Sequence, residues 1–439
     1  MIVEYLIYLT IFLLPSYIVR FKIGFVPFTL LEVLVLLTFL TWIGEKVRES
    51  LTKRRKSPFR LLAALKNPFI LVSLGWIILS LMEVLVSVDK SGALGIFKAY
   101  FLEPVLFFWV LTDKIAFRKQ FLRVMGALIL SGIGIAILAI IQHFTLWDPF
   151  APAEIVQGRV TAVYNTANAV GLFLGPMIGI VAALLFIKRE NQKSLPVRIG
   201  RSLGLVLILM LAAIYFSFSQ GAYVSVIAVG ILLSFFYVLI RILRSKFNLL
   251  LKILSGLGLL YLLFNLLFFA FLPRLIPNMP SKPIVRQTDN TLTIRLCLWE
   301  GTRALLLAKP VLGSGLNGFQ TDYVQYYTCD SEPLQYPHNL ILNFWVELGV
   351  IGLFLITAII YLYFKTIFIN LSKACQKKDS LAAKIGVGLF TAMCYWLVHG
   401  LVDVPYFKND LSLEFWVLVG LALCYSRIFV SDGSLAEGV

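Results

Sequence analysis

Charge and histidine are what this sequence has least of. Only 14% of its 439 residues are Asp, Glu, Lys or Arg, and histidine occurs three times. Soluble domains carry about 25% charged and about 45–50% apolar residues, whereas this chain is 59% apolar. One compact core cannot absorb that excess, because cores stop growing at a few hundred residues. A bilayer must therefore solvate most of the chain. The five cysteines form no C-x-x-C pair and no Cys/His spacing suited to zinc. The glycine-rich segment "GSGLNGF" (313–319) is not followed by Lys-Ser/Thr, which excludes a Walker phosphate loop. The first segment lacks a basic n-region and carries Glu4, so it reads as a retained anchor and not as a cleaved signal. The excess of basic residues, +16, would suit nucleic acid only if it were gathered on one surface, and it is not.

What is present is a series of long apolar runs. A membrane-crossing helix needs about 20 such residues, and the runs fall at 2–19, 25–43, 67–87, 92–112, 124–144, 163–187, 203–218, 221–243, 248–272, 345–369, 381–400 and 412–430. The expected fold is an all-α polytopic membrane protein of about twelve helices, with one large extracytoplasmic loop containing short helices. Residues 1–272 hold the first nine spans with basic connecting loops. Residues 273–344 form the large loop, 345–430 the last three spans, and 431–439 a short tail. The short run 203–218 could merge with its neighbour. Placing both termini in the cytoplasm puts 27 of the 39 Lys and Arg on that side and 11 on the other, six of them in the 273–344 loop. Long loops escape the positive-inside rule, so this orientation is the expected one. The dense basic run "KVRESLTKRRKSPFR" (46–60) is explained by topology without invoking nucleic acid.

The chemistry should lie in 273–344. Its start, "PRLIPNMPSKP", has four prolines in eleven residues and cannot be helical. "DNTLTIRLCLWEGTRALLLAKP" then reads as a helix, capped by Asp289 or Asn290 and stopped by Pro310, with Arg295, Trp299 and Arg303 on one face. The glycines of 313–319 allow either a tight turn or a close backbone approach to a ligand. Cys297 and Cys329 share this loop and could pair if it faces an oxidising compartment. At its end "YPHNLILNFWVELGVIGLF" (336–354) sets His338 between Pro337 and Asn339 at a membrane entry. The loop's six basic residues nearly cancel against five acidic ones, so an anion bound here would be held by particular arginines.

In order, Arg295 with Trp299, "PVLGSGLNGF" and "HNLILNFWVELGVIGL" resemble the signature region of the O-antigen ligase and O-antigen polymerase superfamily. "GRVTAVYNTANAVGLFLGPM" (158–177), "FSFSQGAYVSV" (216–226) and "HGLVDVPYFKND" (399–410) resemble further segments of that family, so the likeness spans about 60–430. It implies a multi-pass protein of the bacterial cytoplasmic (inner) membrane. The implied activity is metal- and cofactor-independent, inverting transfer of a glycan from undecaprenyl pyrophosphate at the outer face. The acceptor would be lipid A core, another glycan or a protein hydroxyl; membrane lipids would be partners and nucleic acid would not. Arg295 is the expected catalytic cation for the pyrophosphate, because a guanidinium is permanently charged and fits phosphate oxygens. His338 is the expected base or orienter of the attacking hydroxyl. Gln220, Arg303, Asn339, Gly315, Tyr336 and Arg159 are the expected substrate-binding residues. Gln220 stands where the family commonly has arginine, and Arg159, Arg286 or Arg303 could supply the missing charge.

The alternative from a different class is a transporter or flippase of lipid-linked glycans, which twelve spans would also suit. Transporters usually show internal repeats and broken helices about a midplane site, and no repeat is evident here. Elsewhere, His143 reads as an interfacial or packing residue, Lys98 as a partner of Glu103 or Glu83, and Glu347 as an orienting group. Both a structural and a functional role remain open for His399.

Overall fold

A computed structural model describes residues 2–24, 26–53, 66–187, 197–242, 291–326 and 334–430. In chain order the elements are α1 (Ile2–Phe12), a hairpin of β1 (Arg20–Ile23) and β2 (Val26–Thr29), α2 (Leu30–Lys53), α3 (Pro68–Val86), α4 (Lys90–Lys114), α5 (Arg118–Thr145), α6 (Pro152–Val156) and α7 (Asn168–Phe186). They continue with α8 (Val197–Ser217), α9 (Gln220–Ile242), α10 (Thr291–Ala308), α11 (Phe319–Tyr323), α12 (Leu340–Gln376), α13 (Ser380–His399) and α14 (Asn409–Tyr425). Among the described residues nine helices are long and apolar enough to cross a membrane, and the only sheet is the antiparallel hairpin. The chain is an all-α polytopic membrane protein.

The first run differs from the reading of the sequence. The run 2–19 yields only an 11-residue helix, about 16 Å long, followed by a 3₁₀ turn that begins at Leu14–Pro15 and leads into the hairpin. Proline removes a helical N–H there and breaks the run. The runs 203–218 and 221–243 stay separate because Phe218 takes a left-handed backbone, φ 50°, between α8 and α9. The run 248–272, the proline-rich start of the large loop, Asp289, Asn290 and Arg286 lie outside the described residues. Lys98 also departs from expectation. It pairs with Glu32 at 3.2 Å and donates to Pro27 O, fastening a π-turn of α4 to the hairpin rather than reaching Glu103 or Glu83.

The bundle is built round α7 and α13. Gly175 is needed there, since a Cβ at that position would fall 1.7 Å from Tyr395 Cε1. Removing the side chain lets the backbones approach, as small residues do in membrane helices. Tyr395 then donates to Gly171 O at 2.9 Å, so its buried hydroxyl is satisfied without water.

Helix ends sort onto two faces. At one face Arg118 meets Asp379, Lys114 meets Glu45 and Lys46 meets Asp113. At the other, the turns after α3, α5, α10 and α13 converge with the start of α12. Alternating topology requires this segregation: segments an even number of crossings apart share a face.

The long helix α12 is broken near its start. Gly349 (φ 63°, ψ −173°) leaves helical geometry, and a Cβ there would lie 2.1 Å from Val311 O. Val350 N donates to Val311 O and Ser314 N to Val346 O, so the glycine-rich loop is pinned in the kink by backbone.

Candidate functional site

His338 opens α12 and itself holds a left-handed φ of 46°. Asn339 explains why the chain turns there. Its side-chain oxygen caps the N–H groups of Ile341 and Leu342, and its amide donates to Leu401 O. Leu340 N adds a 2.7 Å bond to Gly400 O, locking the start of α12 onto the turn after α13. From the other side Trp299 of α10 donates to Pro337 O at 2.9 Å. The Trp299 motif thus fixes the backbone that carries the imidazole.

That turn brings Asp403 to His338, Oδ1 to Nδ1 at 3.1 Å. Asp403 is buried, and its other oxygen accepts from Asn168 Nδ2 at 3.1 Å while Val404 N–H binds Oδ1. Burial works to raise the Asp403 pKa, but the charge and hydrogen bond of His338, then His399 and Val404 N–H, hold it well below the ordinary carboxylate value. A carboxylate can only accept, so Nδ1 carries a proton, and in the neutral ring Nε2 is the nitrogen that can accept one. The His338 side chain is 27% exposed, enough for Nε2 to meet a substrate.

Two arginines flank this pair. Arg159 bonds Asn168 Oδ1 at 3.1 Å and Ser217 O at 3.2 Å and pairs with Glu154 at 2.9 Å. Arg295, half-buried on α10, lies within electrostatic reach of Asp403, His399 and Arg159. Among the described residues it makes no hydrogen bond or ion pair. Burial lowers its pKa and Asp403 opposes the shift; a guanidinium remains charged regardless. A half-buried cation with five unused donors is set up for an anion that arrives from outside. The starts of α7, α9 and α12 add to this. Asn168 bonds Asp403, Gly221 abuts the His399 ring, and Leu340 bonds Gly400, so three positive helix ends converge on the 399–403 turn.

The structure therefore brings together Arg295, Arg159, His338 and Asn339, and it sets Gln220 at the start of the converging helix α9, next to Gly221. Gln220 is exposed there. Tyr336 is turned inward, its ring on Phe407 and its hydroxyl paired with Tyr100 and Gln335. Gly315 (φ 73°) packs on backbone, a Cβ there lying 2.7 Å from Glu83 O. The glycine-rich loop thus takes the tight-turn alternative. Arg303 sits half-buried two turns beyond Arg295, with no bond to the His338 cluster among the described residues. Glu347 accepts from Asn317 N at 2.6 Å, an orienting role for the same loop.

Asp403, Asn168 and Lys408 were missed as site residues. Each stands in a segment already singled out, but nothing in one sequence joins residues 235 positions apart. Lys408 approaches Asn165 at 3.4 Å and the Tyr164 ring at 5.5 Å; burial lowers its pKa while Asp410 and Asp403 oppose. Cys297 is disulfide-bonded, and its expected partner Cys329 lies outside the described residues.

These features define a polytopic membrane protein with a histidine–aspartate pair and a half-buried arginine gathered at one end of the bundle. Residues 205–357 match the family described as O-Antigen ligase, so that part of the chain is similar to that family. A Rickettsia conorii protein whose name describes it as a candidate polysaccharide ligase is 30% identical over 151 residues, 31% of this chain. The match spans 33% of that relative's own length. The family match contains Gln220, Arg295, Arg303 and His338, whereas Arg159, Asn168 and Asp403 come from outside it.

Proposed function

We propose that this protein transfers a glycan from a polyprenyl pyrophosphate to an acceptor hydroxyl at the outer face of the cytoplasmic membrane, with inversion. The observation that carries this reading is Arg295, half-buried and without a bond among the described residues, near a histidine whose Nδ1 is held by Asp403. His338 Nε2 takes the acceptor's proton as its oxygen attacks the anomeric carbon. The bond to the pyrophosphate breaks on the opposite side of that carbon, which inverts it. Arg295, Arg159 and the three helix N-termini stabilise the charge gathering on the departing phosphates, a role worth most where water is excluded.

Arg159 and Lys408 supply cations that Gln220 does not. Lipid A core, a second lipid-linked glycan and a protein hydroxyl all remain candidate acceptors, because the groups that meet the acceptor are common to all three. The grouping of the polar side chains at one end of the bundle supports a transferase over a flippase, which would need a polar path across it.

The test is reconstituted transfer from an undecaprenyl-pyrophosphate glycan to each acceptor class. Wild type should form a new glycosidic bond of inverted configuration. Full transfer by folded His338→Ala and Arg295→Ala proteins would remove this site from consideration, and lipid flipping without bond formation would favour a transporter.

A further inference from the structure

Beside Arg159 the protein presents an apolar surface that the transfer chemistry does not use. The His143 and Phe216 rings stack at 3.7 Å, Phe144 meets Phe216 edge-on at 6.2 Å, and Tyr215 touches both Phe216 and Phe218. Phe144 is 75% exposed, Tyr215 62% and Phe218 49%, so the cluster is a continuous ledge facing outward. The exposed Trp147 follows Leu146 directly.

Two things set this ledge apart from an ordinary belt of interfacial aromatics. The first is conformational. Leu146 at φ 53° and Phe218 at φ 50° are bulky residues in left-handed backbone, a costly arrangement that persists where surrounding structure enforces it. The second is continuity with charge. Arg159 donates to Ser217 O between Phe216 and Phe218, Val160 N donates to Phe216 O, and Arg159 reaches the His338 side through Asn168 and Asp403. Travelling inward, a molecule would meet aromatic rings, then a guanidinium, then a base. That is the order of an isoprenoid tail, a pyrophosphate and an anomeric carbon.

We propose that this ledge, formed by Phe144, Tyr215, Phe216 and Phe218 with Trp147 at its rim, is the seat of the donor's polyprenyl tail and so the route by which the donor enters. The assignment rests on the transferase reading for the identity of the donor, but its test does not require transfer. The full chain in phosphatidylethanolamine–phosphatidylglycerol nanodiscs is exposed to undecaprenyl pyrophosphate bearing a photoreactive tail, with no sugar attached. Cross-links should concentrate in 143–150 and 215–220. Unlabelled undecaprenyl pyrophosphate should compete, and Tyr215→Ala or Phe218→Asn should weaken that competition roughly tenfold. Asparagine tolerates the left-handed backbone, so the second variant removes the ring without forcing the turn to refold. Competition by geranyl pyrophosphate, whose short tail barely reaches the ledge, should change less than about twofold.

Cross-links spread evenly round the bundle, as annular lipid would give, overturn the proposal. So do variants that weaken the long and short lipids equally. A protein that binds the probe on the ledge but forms no glycosidic bond keeps the ledge and sinks the transferase reading. A protein that transfers glycan while cross-linking elsewhere does the reverse.

Discussion

The two ends of the bundle use the same kinds of side chain to opposite effect. At one end, among the described residues, several charges are paired: Arg118 with Asp379, Lys114 with Glu45 and Lys46 with Asp113, while Arg427 is bonded to Thr112 O. At the other, Arg295 is half-buried without a bond among the described residues, and His338 leaves one ring nitrogen toward solvent. Pairing closes a surface, because each charge is already answered. Unanswered charge costs stability, and a protein that keeps it has a ligand to supply the answer.

The largest loss should come from breaking the open end at its base. His338→Ala removes the proton acceptor and should lower turnover about 10²–10⁴-fold, measured as transfer rate at saturating donor. Asp403→Asn should cost nearly as much, because an amide can donate to Nδ1 and would favour the wrong tautomer. If Asp403→Asn kept wild-type turnover, the tautomer argument would fail. Asp403 also makes a prediction about pH. Its folded pKa lies below the unfolded value of about 3.9. Its contribution to stability is therefore fully present above that value and fades as pH falls below it. The difference in thermal stability between wild type and Asp403→Asn should shrink in that acid range and stay flat from pH 5 to 7. Next in size, Arg295→Gln should slow transfer about 10²–10³-fold. Arg295→Lys should recover only part of the loss, since an ammonium cannot make the two-pronged phosphate contact.

Much of the open end was legible in the sequence, for identifiable reasons. Arg295 and Trp299 share a helical face by spacing alone, and His338 beside a polar loop is conspicuous in a chain with three histidines. The spans from Pro68 onward follow from apolar length, except 248–272, which lies outside the described residues. What spacing cannot reveal is contact across the bundle. Asp403 reaches His338 over 65 positions and Asn168 reaches Asp403 over 235, and neither pair leaves a periodic trace. Composition also misleads at the first run, where Pro15 and the hairpin cut short a stretch apolar enough to be read as a span. Asn339 and Gly315, expected to bind substrate, have visible backbone roles: one caps α12 and the other lets the glycine-rich loop lie against α3.

The smallest effect should come from the closed end, and its smallness is informative. Arg118 bonds Asp379 at 2.7 Å and lies 4.8 Å from the Phe429 ring centroid, yet its side chain is 53% exposed. Solvent screens such a pair, so Arg118→Ala should lower stability by about 1 kcal/mol or less. Transfer should stay within about twofold of wild type, since Arg118 is already answered by Asp379 and lies on the face away from His338. Asp379 also caps α13 through Ala382 N, so Asp379→Ala should destabilise more than Arg118→Ala does. Thermal unfolding of both variants in nanodiscs, beside their transfer rates, tests the contrast directly. A large loss of transfer in a stably folded Arg118→Ala protein would show that the two ends are coupled, and that paired charge does not mark the inert face.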